Sequence, residues 1–277
     1  MTRPSDASAF HDFERAGWQR AAEHYPRAFG DLTSKAAGPL LDVVAAGTGT
    51  RLLDVATGPG FVAAAGAERG AIVTGLDFSA AMLAEARRRF PSIAFREGDA
   101  EALPFGDAEF DAVVMNYGML HLAHPDAAMA EARRVLRPGG RYAFTVWGAP
   151  ERAIGFGLVL RAIEKYGNPD VGLPEGPPFF HFSDVAACQR TLESVGYSDI
   201  DVELLRFTWR VQAPDEVFTA IATGGVRTAA VLRAQPDGAI AQIRESVRRG
   251  VEAYRTNDGA FEVPMLSVLA SATSATR

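Results

Sequence analysis

Apolar residues fall along the chain in two rhythms. Phe10, Phe13, Trp18, Ala21, Ala22, Tyr25 and Phe29 recur at spacings near three and four, the period of an amphipathic helix. Pro26 should kink or end that helix. A second helix is expected over 32–46, closed by Gly47-Thr48-Gly49. From residue 51 the pattern changes. Short apolar runs over 51–56, 71–76, 93–96, 110–116 and 141–147 alternate with helical stretches over 61–69, 79–90 and 125–136. Ser79 can N-cap one of these helices and Pro91 stops it; Arg137-Pro138-Gly139-Gly140 breaks the last. Strands alternating with helices predict right-handed βαβ units and a mostly parallel sheet in an α/β fold.

Beyond Gly148 the rhythm loosens. A helix is expected over 151–166 and a Gly- and Pro-rich loop over 167–181. Ser183 is the expected N-cap of a helix through Val195, with Gly196 at its end. A long strand pattern covers 199–211, helices fill 214–254, and a last strand covers 261–270. The tail 271–277 should fray. No internal repeat or low-complexity linker divides the chain. The expected organisation is one domain: a helical cap over 1–50, a ligand-binding core over 51–148, and a remainder over 149–277. That remainder completes the sheet and carries cap insertions over 151–182 and 214–258.

The 277 residues are 48% hydrophobic and 22% charged, the composition of a soluble globular protein. The net charge of −6 gives no general attraction to nucleic acid or anionic membrane. Only Lys35 and Lys165 are lysines; the excess of arginine reads as coding bias. One cysteine, Cys188, excludes an intrachain disulfide and a cysteine metal cluster, so no metal is expected. No apolar run approaches the ~20 residues of a membrane span, and the acidic start does not read as a signal peptide. A cytoplasmic setting is therefore expected.

Ligands of open α/β sheets sit beyond the carboxyl ends of the strands, so the residues ending each strand carry the information. Four ends are polar or glycine-rich: Asp54 to Gly60, Asp77, Asp99 and Asn116. In Asp54-Val55-Ala56-Thr57-Gly58-Pro59-Gly60, glycines without Cβ let a ligand lie against the main chain. Gly58-x-Gly60-x-x-Ala63 also satisfies a dinucleotide pattern. Asp77 can accept from a ribose diol, or else help cap the Ser79 helix. Asp99 can accept from an adenine amino group while Ala100 offers an N–H to a ring nitrogen. A nicotinamide oxidoreductase does not require that second acid, and Pro59 removes a donor from a pyrophosphate cradle.

The runs LLDVATGPG (52–60), VTGLDFSAAML (73–83), EGDAEALPFGDAEFDAVV (97–114) and RRVLRPGGRYAF (133–144) resemble the class I S-adenosylmethionine-dependent methyltransferases. They are most similar to the type 11 subgroup of ubiquinone and menaquinone C-methyltransferases. The resemblance implies a Rossmann-like seven-stranded sheet, mostly parallel with an antiparallel last strand. It implies S-adenosyl-L-methionine as cofactor and in-line methyl transfer to a small acceptor. Residue by residue it implies Gly58 and Gly60 beneath the methionine part, Asp54 shaping the loop, and Ala56 and Thr57 among the cofactor-binding residues, although Thr57 stands where members of the family often have a glycine or cysteine. Asp77 matches the ribose acceptor, Phe78 and Met82 the adenine wall, and Asp99 and Ala100 the adenine edge. Asn116 and Tyr117 match the position that meets the methionine amino group. A nicotinamide oxidoreductase and a non-catalytic cofactor-binding protein are the alternatives.

Candidates for the acceptor side are fewer. His121, just past the fourth strand, is a possible general base or an ordinary structural histidine. Trp18, Tyr25, Phe29 and Phe218 lie on helices with no place in the sheet and are expected to cap it over an apolar pocket. Tyr25 is also expected to reach the cofactor. His181 could reach the acceptor from the loop. The expected partner is a small, largely apolar molecule, with no nucleic acid and no membrane insertion.

Overall fold

A computed structural model describes residues 6–275. Its centre is one seven-stranded sheet: β1 (Arg51–Val55), β2 (Ile72–Asp77), β3 (Ala94–Glu97), β4 (Phe110–Asn116), β5 (Leu136–Trp147), β6 (Tyr197–Val211) and β7 (Phe261–Ser274). The spatial order is β3-β2-β1-β4-β5-β7-β6. The first five strands pair in parallel, and β7 runs antiparallel between β5 and β6. The order reverses between β1 and β4, and that switch point opens a crevice at the strand carboxyl ends.

Strand residues alternate between two cores, as a period of two demands. Leu52, Val114, Ala143 and Leu269 pack on one face; Leu53, Val55, Val113 and Met115 pack on the other. The central strands are buried on both sides, which is why they read as nearly unbroken apolar runs.

The helices are α1 (Asp6–Ala21), α2 (Tyr25–Ala28), α3 (Gly30–Thr33), α4 (Ala37–Val43), α5 (Phe61–Glu68) and α6 (Ala80–Arg89), then α7 (Pro125–Val135), α8 (Ile154–Tyr166), α9 (Val185–Val195), α10 (Glu216–Gly224), α11 (Arg227–Arg233) and α12 (Asp237–Val251). The expected first helix already ends at Ala21. Pro26 sits in the first turn of α2, where its missing N–H is not needed. The expected helix over 32–46 is divided into α3, a 3₁₀ turn at Ser34–Ala36, and α4.

Three further expectations are corrected. The residue that caps α9 is Asp184, whose side chain accepts from the Ala186 N–H, because Ser183 already closes a 3₁₀ turn. Strand β5 starts at Leu136 and runs through Pro138-Gly139-Gly140. A register shift opposite Phe110–Ala112 and a positive φ at Gly139 absorb the irregularity. The tail does not fray at 271: β7 continues to Ser274, with Ala272 and Ser274 buried. Having β5 on one side and β6 on the other satisfies its backbone to the end.

The N-terminal helices do cap the sheet's carboxyl edge. Along α1, Arg15 pairs with Glu97 at 3.0 Å, and Gln19 Oε1 accepts the Ala81 N–H at the start of α6. Close approaches hold the other cap pieces. A Cβ on Gly17 would strike Val226, one on Gly224 would strike Ala28, and one on Gly176 would strike Phe10.

Because the end of β7 is an interior strand, Ala272→Asp should destabilise the protein by about 2–4 kcal/mol through burial of an unpartnered carboxylate. Urea denaturation checks this; a frayed tail would tolerate the change without loss.

Candidate active site

The crevice contains two adjoining chambers. The first lies between the ends of β1, β2 and β4 and the cap helix α1. Asp54, Ala56, Thr57, Gly58, Asp77, Phe78, Met82, Asp99, Ala100, Asn116 and Tyr117 line it, with His11, Pro59 and Phe61. The second lies beneath the cap and is lined by Phe29, Trp147, Phe156, Phe179 and Arg227, among others. Trp18, Tyr25, Thr33, Tyr117 and His121 border both. The space, counted out to the mouths, is about 880 Å³ in the first and 460 Å³ in the second.

Asp77 organises the first chamber. One carboxylate oxygen accepts the Gly58 N–H at 2.8 Å and the other accepts the Ser79 N–H at 2.9 Å. The loop after β1 is thereby tied to the start of α6, which Ser79 caps through its hydroxyl on the Met82 N–H. Burial pushes the Asp77 carboxyl up to about 6, against the lowering effect of these N–H groups. Asp54 faces the same space. Thr57 donates to its Oδ2 at 2.6 Å, while Oδ1 is buried with no hydrogen-bond partner among the described residues. Burial is the main reason its carboxyl is raised to about 7.

Two non-glycine residues bordering the chamber, Ala56 and Tyr117, hold positive φ angles of 53° and 54°. Such backbone strain concentrates at functional sites. Tyr117 donates its N–H to Thr145 and its ring stacks on Trp147 at 4.0 Å. Asn116 accepts from Thr145 Oγ1 at 2.6 Å and donates to the Thr33 carbonyl at 3.1 Å. Tyr25 donates to Thr33 Oγ1 at 3.3 Å, and burial raises its hydroxyl to about 12. Across the chamber, Asp99 Oδ1 accepts the Glu101 N–H, and Oδ2 lies 3.1 Å from His11 Nε2.

The two glycines of the loop serve different ends. A Cβ on Gly58 would meet nothing within 4 Å, so its bare face opens into the chamber. Gly60 is absent from the lining. It N-caps α5 at φ 86°, and a Cβ there would crowd Phe95 and Phe90 at about 3 Å. The structure gives Gly60 a packing role beside Phe90 and Phe95. Two residues expected at the pocket lie outside both linings. His181 is exposed and lines neither chamber, because its 3₁₀ turn directs Phe182 into the core instead. Phe218 is buried on α10 outside both linings, beneath the Arg244 guanidinium. Trp147 and Phe156, on β5 and α8, supply the aromatic surface the sequence reading assigned elsewhere.

Glu14 was also missed. It is fully buried on α1, accepts from Arg227 Nε at 2.8 Å, and lies 2.9 Å from His121 Nδ1. Its signal was present, since Glu14 stands in a stripe with Phe10, Gly17 and Ala21, where a charge needs a partner.

The donor set fits S-adenosylmethionine. The first chamber has three carboxylates, an open glycine face and an apolar wall, and no Lys or Arg lines it. A cationic sulfonium and an ammonium suit that field; a pyrophosphate does not. No group of three or more metal-ligating side chains occurs among the described residues, and no described helix is long and apolar enough to cross a membrane.

Sheet order and crevice together define the class I methyltransferase architecture. Residues 53–144 match the methyltransferase domain family. The chain is 35% identical to a demethylmenaquinone methyltransferase of Renibacterium salmoninarum, a match covering 58% of this chain and 72% of that one. Identity to a demethylmenaquinone methyltransferase of Thermus thermophilus is 37%, over 57% of this chain and 78% of the relative. In structure it resembles phosphoethanolamine N-methyltransferase 2 of Haemonchus contortus in complex with S-adenosylmethionine. That likeness has a TM-score of 0.59 at 19% identity, over 96% of this chain and 60% of that one. The chain belongs to the class I S-adenosylmethionine-dependent methyltransferases and is of the quinone C-methyltransferase-like type. It is an enzyme of that class and takes S-adenosylmethionine as cofactor.

Since Gly60 is both left-handed and crowded, Gly60→Ala should cost about 1–3 kcal/mol of stability. Thermal unfolding beside wild type measures it; an unchanged midpoint would show that the crowding by Phe90 and Phe95 carries no cost.

Proposed function

We propose that this enzyme methylates a small, largely apolar aromatic acceptor bearing an acidic hydroxyl or carbon, of which a reduced quinone is one form. The observation that carries this reading is the second chamber. It is walled by Trp18, Tyr25, Phe29, Trp147, Phe156 and Phe179 and joins the first chamber at Tyr117 and His121. Planar aromatic walls favour a planar apolar ligand. The quinone methyltransferases among its relatives point the same way.

In this reading the chain works as one domain whose core holds the cofactor and whose helices hold the acceptor. Asp77 receives the ribose hydroxyls. Phe78 and Met82 flank the adenine, and Asp99 with Ala100 meets its edge. Gly58, with Asp54, Ala56 and Thr57 shaping the loop, passes the methionine part. Asn116, Tyr117 and Tyr25 close around its charged end. The bound cofactor supplies an activated methyl on a cationic sulfur. The protein aligns the acceptor with that methyl and keeps water out, and alignment alone can supply several kcal/mol, up to about 7–11 in the best models. His121, at the shared wall, takes the proton the acceptor gives up, an effect of typically ~10²–10⁴-fold.

Incubation with S-adenosylmethionine and a panel of naphthohydroquinones, phenols, an acyl-carrier-protein thioester and a nucleic acid, read by mass spectrometry, tests the acceptor. Methyl gain on the hydroxyaromatics is expected. Gain on the thioester or nucleic acid alone would overturn the reading.

Asp77→Asn should weaken S-adenosylhomocysteine binding by about 1.5–3 kcal/mol. The pH dependence follows from the carboxyl raised to about 6. A raised acid stabilises the free protein most below its unfolded value, and that contribution is lost as pH rises through 6. Ribose hydroxyls instead favour the ionised form, so affinity should rise with pH and fall roughly tenfold between pH 7 and 5. Isothermal titration across that range should show the slope in wild type and a flatter one in Asp77→Asn.

A further inference from the structure

We propose that Glu14 is a positioning residue for His121: it holds the imidazole in one tautomer, with Nδ1 protonated and Nε2 bare at the acceptor chamber. The proposal rests on the reading of His121 as the acceptor's base and assigns how that base is set.

Glu14 is fully buried on α1, and its two carboxylate oxygens are used by different partners. Oε2 lies 2.9 Å from His121 Nδ1, and Oε1 accepts from Arg227 Nε at 2.8 Å. A carboxylate only accepts, so the Nδ1 facing it carries the proton and Nε2 is left as the acceptor nitrogen. Nε2 has no hydrogen-bond partner among the described residues, and the ring forms part of the wall between the chambers. Trp18 at 4.7 Å and Phe179 at 5.8 Å, both edge-to-face, fix the ring plane.

Arg227 balances the buried negative charge. Its other nitrogens donate to the Pro177 and Leu120 carbonyls, at 2.7 Å and 2.6 Å. Glu14 is thus pinned to the loop before His181, to the turn that carries His121, and to the start of α11. The titratable and charged groups around His121 are Glu14 from α1, Arg227 from α11, Tyr25 and Tyr117 across the shared wall, and Glu101. The last accepts the Ala123 and His124 N–H groups.

In turnover the acceptor's proton goes to Nε2. The acceptor's freed electron pair bonds to the methyl carbon, and the pair of the broken methyl–sulfur bond stays on sulfur. The imidazolium that forms sits against Glu14, whose charge is already in place and needs no reorganisation.

Nitrogen-15 NMR of histidine-labelled protein, without acceptor, tests the tautomer directly. Wild type should show His121 with Nδ1 protonated and Nε2 bare. Glu14→Gln should mix the tautomers, and Glu14→Asp should restore the single form in part. With 1,4-dihydroxynaphthalene as probe, Glu14→Gln should lower kcat roughly 10²-fold or more. KM and S-adenosylhomocysteine affinity should stay within threefold. If Glu14→Gln does not fold, Glu14→Gln with Arg227→Met removes both charges and should give the same mixed tautomers. An Nε2-protonated ring in wild type, or an unchanged tautomer in the variants, overturns the proposal. Lack of turnover with the probe would count against the acceptor reading and leave the NMR result decisive for Glu14.

Discussion

The crevice depends on one buried carboxylate. Asp77 ends β2 and takes the N–H of Gly58 on one oxygen and that of Ser79 on the other. Two loops that leave neighbouring strands are thereby held at a fixed separation. The same contacts turn two backbone dipoles toward a buried negative charge, which is how the carboxylate is tolerated in the core. Moving Asp77 would release the loop after β1, uncouple the start of α6, and open the floor of the chamber together.

Around that point the field is acidic. Asp54 and Asp77 are both buried and both raised by burial. A site of this kind is poised for a cation. The energy held in two poorly solvated carboxylates is relieved when a positive or hydrogen-bond-donating ligand enters, so free-state instability and ligand affinity are two sides of one arrangement.

The cap solves a different problem. Helix α1 spans the first chamber through His11, Arg15 and Gln19, places Trp18 at the wall of both chambers, and buries Glu14 against His121. The two chambers therefore share a wall made of Trp18, Tyr25, Thr33, Tyr117 and His121. Closure relies on close helix approaches at Gly17 and Gly224, where any side chain would collide with Val226 or Ala28. The polar knot of Glu14, His121 and Arg227 fixes the orientation of pieces that apolar packing alone would leave free to slide.

The strand runs, the glycine turn and the acids at the strand ends were legible in the sequence. Each follows from local rules: a strand buried on both faces must be apolar, and a ligand-facing turn must be small. Those rules located Asp54, Gly58, Asp77 and Asp99 in one chamber before any coordinates. The tertiary structure decided what local pattern cannot express. Gly60 and Gly58 look alike in sequence, yet only the packing of Phe90 and Phe95 makes one a spacer and leaves the other open. Phe218 and His181 have the chemistry of pocket residues, but the helix and turn that carry them point elsewhere. Trp147 and Phe156 read as ordinary core until α8 brings them beneath the cap. Glu14 and Arg227 are 213 positions apart, and only the folded chain brings a buried carboxylate and its guanidinium together. Sequence fixes which residues can do chemistry, because that depends on side-chain type and near neighbours. Which of them meet is set by long-range packing, which no short window of the chain contains.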